Sequence, residues 1–140
     1  MCTCCSFFNH ETHSINYSFQ WFYGIVSNSP YNNTWIDEGF TDFETHLYFI
    51  DRKGQSEETV YGFALTRIKQ DEQHKMLKPA HLPISEYKTG GFSSANYKVP
   101  TVKLWEISGH DAKKALSFLK TYIRTYAYQE VDAHEWFRFV

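Results

Sequence analysis

Between Ser108 and Gln129 the chain writes a capped amphipathic helix, and no other run limits its possible folds as strongly. Ala112, Ala115, Leu116, Leu119, Tyr122, Ile123 and Tyr126 recur at the 3.6-residue period and define one apolar face. Lys113, Lys120, Arg124 and Ser117 fall on the opposite stripe. Either Ser108 or Asp111 can cap the start, because a side-chain oxygen there accepts from the free N–H groups of the first turn. A helix with one apolar face must bury that face against another element. The rest of the chain has to supply that element.

The supply is ample. Apolar residues make up 42% of the 140 residues and aromatics 19%, enough buried surface to offset the entropy of ordering and to exclude a disordered chain. No apolar run reaches the roughly 18 residues that span a bilayer, so no membrane association is expected. The length fits a single domain over residues 1–140, with no internal repeat. Residues 1–14 read as an irregular arm, and 69–96 as a long polar loop.

Tyr17 to Val26 reads as a buried strand or a short helix, and four further segments read as strands: His46 to Asp51 paired with Thr59 to Ile68 across a Gly54 turn, Thr101 to Ile107, and His134 to Val140. In the second hairpin strand Tyr61, Phe63 and Leu65 form the heavier face and should meet the core. Trp35 to Phe43, punctuated by Gly39, reads as a loop or a single helical turn. The expected fold class is therefore α+β, a mainly antiparallel sheet with one principal C-terminal helix packed on one face.

The formal charge of -2 divides into -6 over residues 1–58 and +4 over residues 59–140, a split that can steer a charged partner. Cys2, Cys4 and Cys5 are an odd, terminal cluster and cannot staple a core. With His10 and His13 they follow no zinc-module spacing, and no metal site is expected. Nothing at the N-terminus reads as a secretory signal, which makes the cytoplasm the expected compartment.

One order of segments resembles a known family. A hairpin carrying Tyr61-Gly62-Phe63-Ala64, a strand ending in Trp105-Glu106-Ile107 and the helix from Ala112 are similar to the core of GNAT-type acyltransferases. A second likeness is Ser29-Pro30 followed by Trp35, similar to the S-P-x-H-x-x-W motif of toxin-activating lysine acyltransferases, with Asn32 at the histidine position. The resemblance implies acetyl-CoA or acyl-CoA as cofactor, held at Ser108, Gly109, His110, Lys113 and Lys114. It also implies Glu106 as general base and Tyr126 as general acid. The loop Ser108-Gly109-His110-Asp111 carries one glycine where the family's pyrophosphate loop carries two.

No catalytic triad or two-histidine metal motif is written in the chain. The leading expectation is therefore a small binding or inhibitor-type module that needs no cofactor. It would dock on a macromolecule through aromatic and charged patches, with Tyr31, Trp35, Asp37, Glu38, Asp42, Glu44 and Phe92 as contact residues. A protein partner is expected ahead of nucleic acid, since a pI near 6.4 opposes a polyanion footprint.

Overall fold

The computed structural model describes residues 20–88 and 90–140, and among them every regular element is helical. Five α-helices follow in chain order: α1 Thr34–Asp51, α2 Glu57–Gln73, α3 Val99–Ile107, α4 Ala112–Tyr126 and α5 Ala133–Phe139. A 3-10 turn at Ile84–Tyr87 and a π-helical turn at Ser94–Lys98 lead into α3. The only β pairing among these residues is an isolated parallel bridge between Ser27 and Glu130.

This overturns the α+β expectation and, with it, the GNAT likeness, because that fold is built on a sheet and none forms among the described residues. The reasons lie in periodicity and caps. Over residues 35–51 the apolar set Ile36, Phe40, Phe43 and Leu47 recurs every three or four positions, and all four are buried. His46 to Asp51 is thus the last turn and a half of α1. In α2, Ser56 is a true N-cap whose Oγ accepts from Thr59 N, and Glu57 and Glu58 favour the positive end of the helix dipole. Val60, Tyr61 and Ala64 are buried, whereas Phe63 and Leu65 of the expected core face are exposed. The "hairpin" Arg52-Lys53-Gly54 is a helix–helix connection in which Gly54 takes a φ of 63°.

The remaining strands also give way. Pro100 near the start of α3 has a ring-fixed φ that suits a helix and not the interior of a sheet. Thr101, Leu104 and Trp105 then turn inward at helical spacing. Asp132 caps α5 by accepting from Glu135 N at 2.9 Å. The C-terminal helix is as the sequence implied, with Asp111 rather than Ser108 as cap: its Oδ1 accepts from Lys113 N and Lys114 N. The segment read as a loop from residue 69 begins inside α2, and its later part is tied back where Met76 N and Leu77 N donate to Asp71 O.

Helix α1 is the axis of the bundle, packed against α2, α3, α4 and the π-turn. Phe40 stacks on Tyr122 of α4 at 4.2 Å and on Phe22 at 5.1 Å. Trp35 meets Trp136 of α5 edge-on at 5.0 Å. Each such fully buried aromatic contributes about 1.5–3 kcal/mol of transfer free energy. The N-terminal arm and the Cys/His cluster lie outside the described residues. No described helix is long and apolar enough to cross a membrane.

Candidate active site

Helix α1 buries more polar groups than a core helix needs. Thr34, Asp37, Thr41, Asp42, Thr45 and His46 are all buried, and Glu38 is half-buried. The fold puts them there because α1 is surrounded, so the side of α1 that faces α3 and the π-turn carries carboxylates instead of aliphatics. A buried carboxylate is costly unless it is paired or protonated, and the three nearest the π-turn solve that problem differently.

Asp42 is paired. Lys98 Nζ lies 2.9 Å from its Oδ1 and 3.1 Å from its Oδ2, and Thr101 Oγ1 donates to Oδ2 at 3.0 Å. His46, one turn on, donates from Nδ1 to the Asp42 carbonyl at 2.6 Å, which fixes its tautomer. Asp37 is held by a neutral donor: Asn28 Nδ2 donates to its Oδ1 at 3.1 Å. Burial pushes the Asp37 carboxyl up, and the Asn28 bond only partly opposes it.

Glu38 has no cation beside it, only the Tyr97 hydroxyl. Burial, reinforced by the charges of Asp37 and Asp42, pushes its carboxyl up to about 7, with the Tyr97 hydroxyl pulling the other way. Its Oε2 is buried and has no hydrogen-bond partner among the described residues. Tyr97, on the π-turn, is itself driven upward by burial and by the facing Glu38. It therefore stays a neutral O–H donor at any physiological pH. Extra turns of π geometry inside a helical run occur often at functional sites, because they re-aim side chains that an α-helix would point elsewhere.

A carboxyl poised at neutrality beside a phenol can take or give a proton. Among the described residues no group of three or more His, Cys, Asp or Glu is arranged to hold a metal ion. Asp42 is in any case already engaged by Lys98 and Thr101.

The residues singled out from sequence fall in different places. Asp37 and Asp42 sit inside the bundle with Glu38 half-buried beside them, so they form a site with Tyr97 and Lys98, not a surface patch. Glu44 is half-buried on the same helix. Trp35 is core, packed on Trp136 and Phe137. Tyr31 is exposed, with its hydroxyl donating to Ser85 Oγ at 3.0 Å. Phe92 is half-buried between Tyr87 and Tyr97.

The residues of the acyl-CoA set lie mostly at the turn before α4, where other contacts engage their polar groups. The N–H groups of Lys113 and Lys114 are taken by Asp111, and Ser108 Oγ donates to Trp105 O at 2.7 Å. Glu106 is exposed and paired with Lys103 at 2.7 Å. His110 pairs with Glu57 at 2.5 Å, Gly109 merely turns the chain at a φ of 67°, and Tyr126 donates to Glu135 O. Sequence reading missed Tyr97, Lys98, Thr101 and His46. Once α1 is drawn as a helix, Glu38, Asp42 and His46 fall four residues apart on one side, a titratable stripe on an otherwise apolar element.

Comparison with known protein families finds no match, and comparison with solved structures finds none either.

Proposed function

We propose that the protein is a small helical acid–base catalyst whose reacting groups are the Glu38 carboxyl and the Tyr97 hydroxyl. One observation carries this reading: a carboxyl displaced to about 7, with a buried oxygen left open, set against a phenol that stays protonated. A general base works best when its pKa lies near the working pH. Glu38 would accept a proton from the substrate or a water, and Tyr97 would donate to the oxygen on which negative charge develops. With Lys98 already taken up by Asp42, the pair has no free cation beside it to hold an anionic reacting end, so the substrate class is neutral or cationic at that end.

The test is a pH–rate profile over a panel of ester, amide and enolisable carbonyl substrates. Activity rising with a midpoint near 7, abolished in Glu38→Gln and reduced in Tyr97→Phe, supports the reading. Activity that survives in Glu38→Gln rules it out, as does a Glu38 carboxyl that titrates in the ordinary carboxylate range.

A second reading, docking on a protein partner in the cytoplasm, is favoured by the exposed aromatics. Trp21, Tyr23, Tyr31, Tyr128 and Phe137 all lie open to solvent, and Tyr128 is 87% exposed. Interface cores favour such side chains. If that surface docks, Tyr128→Ser and Phe137→Ser abolish capture of the partner without moving Tm; capture that persists in the double variant removes this reading.

A further inference from the structure

We infer that Gly39 is the positioning residue of the Glu38–Tyr97 pair, setting the approach of α1 to the π-turn that brings the two groups together. The inference rests on the reading above and extends it to how the pair is held. Gly39 follows Glu38 directly and is buried. A Cβ placed on it would stand 2.5 Å from Pro100 Cβ and 3.2 Å from Pro100 Cγ, with the Asn96 carbonyl at 3.7 Å. Carbon atoms in contact sit roughly 3.5–4.0 Å apart, so any larger residue must push the two segments apart by about 1 Å. The proline ring is tied to its own backbone and has no flexible end to swing away.

Pro100 lies three residues after Tyr97 on the continuous helical run of the π-turn and α3, so displacing one displaces the other. The seam is closed on the same residue by Thr101 Oγ1, whose single proton is shared between Gly39 O at 3.2 Å and Asp42 Oδ2 at 3.0 Å. Lys98, next to Tyr97, closes it on Asp42. Facing Glu38 are therefore Tyr97 from the π-turn and Asp37 and Asp42 from its own helix, with Lys98 taken up by Asp42. Gly39 carries no charge, so replacing it acts only through how closely α1 meets the π-turn, which sets both the reach of the Tyr97 hydroxyl and the burial of Glu38.

The experiment follows the Glu38 side-chain carbon by NMR against pH in the full chain labelled on glutamate, the signal assigned by Glu38→Gln. Tyr97→Phe removes the hydroxyl that favours the charged form, and should raise the Glu38 midpoint by roughly half a unit or more. In the Gly39→Ala background Tyr97→Phe should no longer raise it, because the opened seam has already taken the hydroxyl out of reach. Gly39→Ala with Pro100→Gly should return the response to Tyr97→Phe to that of the parent. Should Gly39→Ala fail to fold, that rescued double variant and Thr101→Val read the same seam, Thr101→Val with a weakened response to Tyr97→Phe. A folded Gly39→Ala in which Tyr97→Phe raises the midpoint as much as it does in the parent overturns the inference. A parent midpoint in the ordinary carboxylate range instead overturns the reading on which it rests.

Discussion

Lys98 Nζ reaches both carboxylate oxygens of Asp42, at 2.9 and 3.1 Å, across the seam between the π-turn and α1. The two side chains are only 15% and 7% exposed, so this pair is not a surface ornament. Removing one partner leaves the other charge buried with too few donors, a change that costs about 3–5 kcal/mol in comparable sites. Lys98→Met should therefore destabilise the fold by that order in urea unfolding. The combined Asp42→Asn and Lys98→Met variant should cost clearly less, because neither charge is stranded. A Lys98→Met variant as stable as the parent would show that water reaches Asp42.

Glu38 makes stability depend on pH in a defined direction. Its carboxyl rises from an ordinary 4.5 to about 7 on folding, so the folded state holds the proton more tightly than the unfolded chain. That contribution is fully present below 4.5 and is lost as pH climbs through 7. Allowing for solvent screening at a half-buried group, the loss is about 1–2 kcal/mol. Glu38→Gln should remove it: the variant should match the parent near pH 4 and exceed it in urea midpoint at pH 8. Parallel curves for the two proteins across that window would contradict the assignment. Asp37, also raised by burial, adds to the same trend in both proteins and cancels from the comparison.

How much of this was legible in the sequence follows from which signals were unambiguous. Helix α4 was read correctly because its apolar stripe, its cap and its cationic face all repeat at one period. Helix α2 was not, because Val60, Tyr61 and Phe63 are β-branched or aromatic and Tyr61, Phe63 and Leu65 alternate, a pattern that a short window assigns to a strand. The signal that decides it sits outside that window, in Ser56 with Glu57 and Glu58. For the site, Glu38 and Asp42 were found as acids, but their burial was invisible. It depends on Lys98 and Thr101, 56 and 59 residues away from Asp42, and local reading cannot pair such distant groups.

The Ser56 cap can be tested alone. Its Oγ accepts from Thr59 N at 3.2 Å, and the residue is exposed, so replacing it disturbs little else. Ser56→Ala should cost about 0.5–2 kcal/mol, and Ser56→Asp should recover most of that because a carboxylate caps equally well and suits the helix dipole. Thermal unfolding followed by far-ultraviolet circular dichroism reads both. Equal Tm values for Ser56→Ala and the parent would mean that α2 does not start there.

A helix and a strand assign opposite neighbours to the inside over Tyr61 to Leu65, and two substitutions separate them. In α2 Phe63 is 69% exposed while Ala64 is 0% exposed. Phe63→Ser should therefore leave stability within about 0.5 kcal/mol, the usual range for an open surface position. Ala64→Leu should cost about 1–3 kcal/mol, since a well-packed interior accommodates extra methylenes only by strain. An alternating strand with Tyr61, Phe63 and Leu65 inward predicts the reverse order, with the loss of a buried ring at Phe63 costing about 3–5 kcal/mol. Urea midpoints of the two variants decide it: a Phe63→Ser protein less stable than Ala64→Leu would refute the helical register of α2.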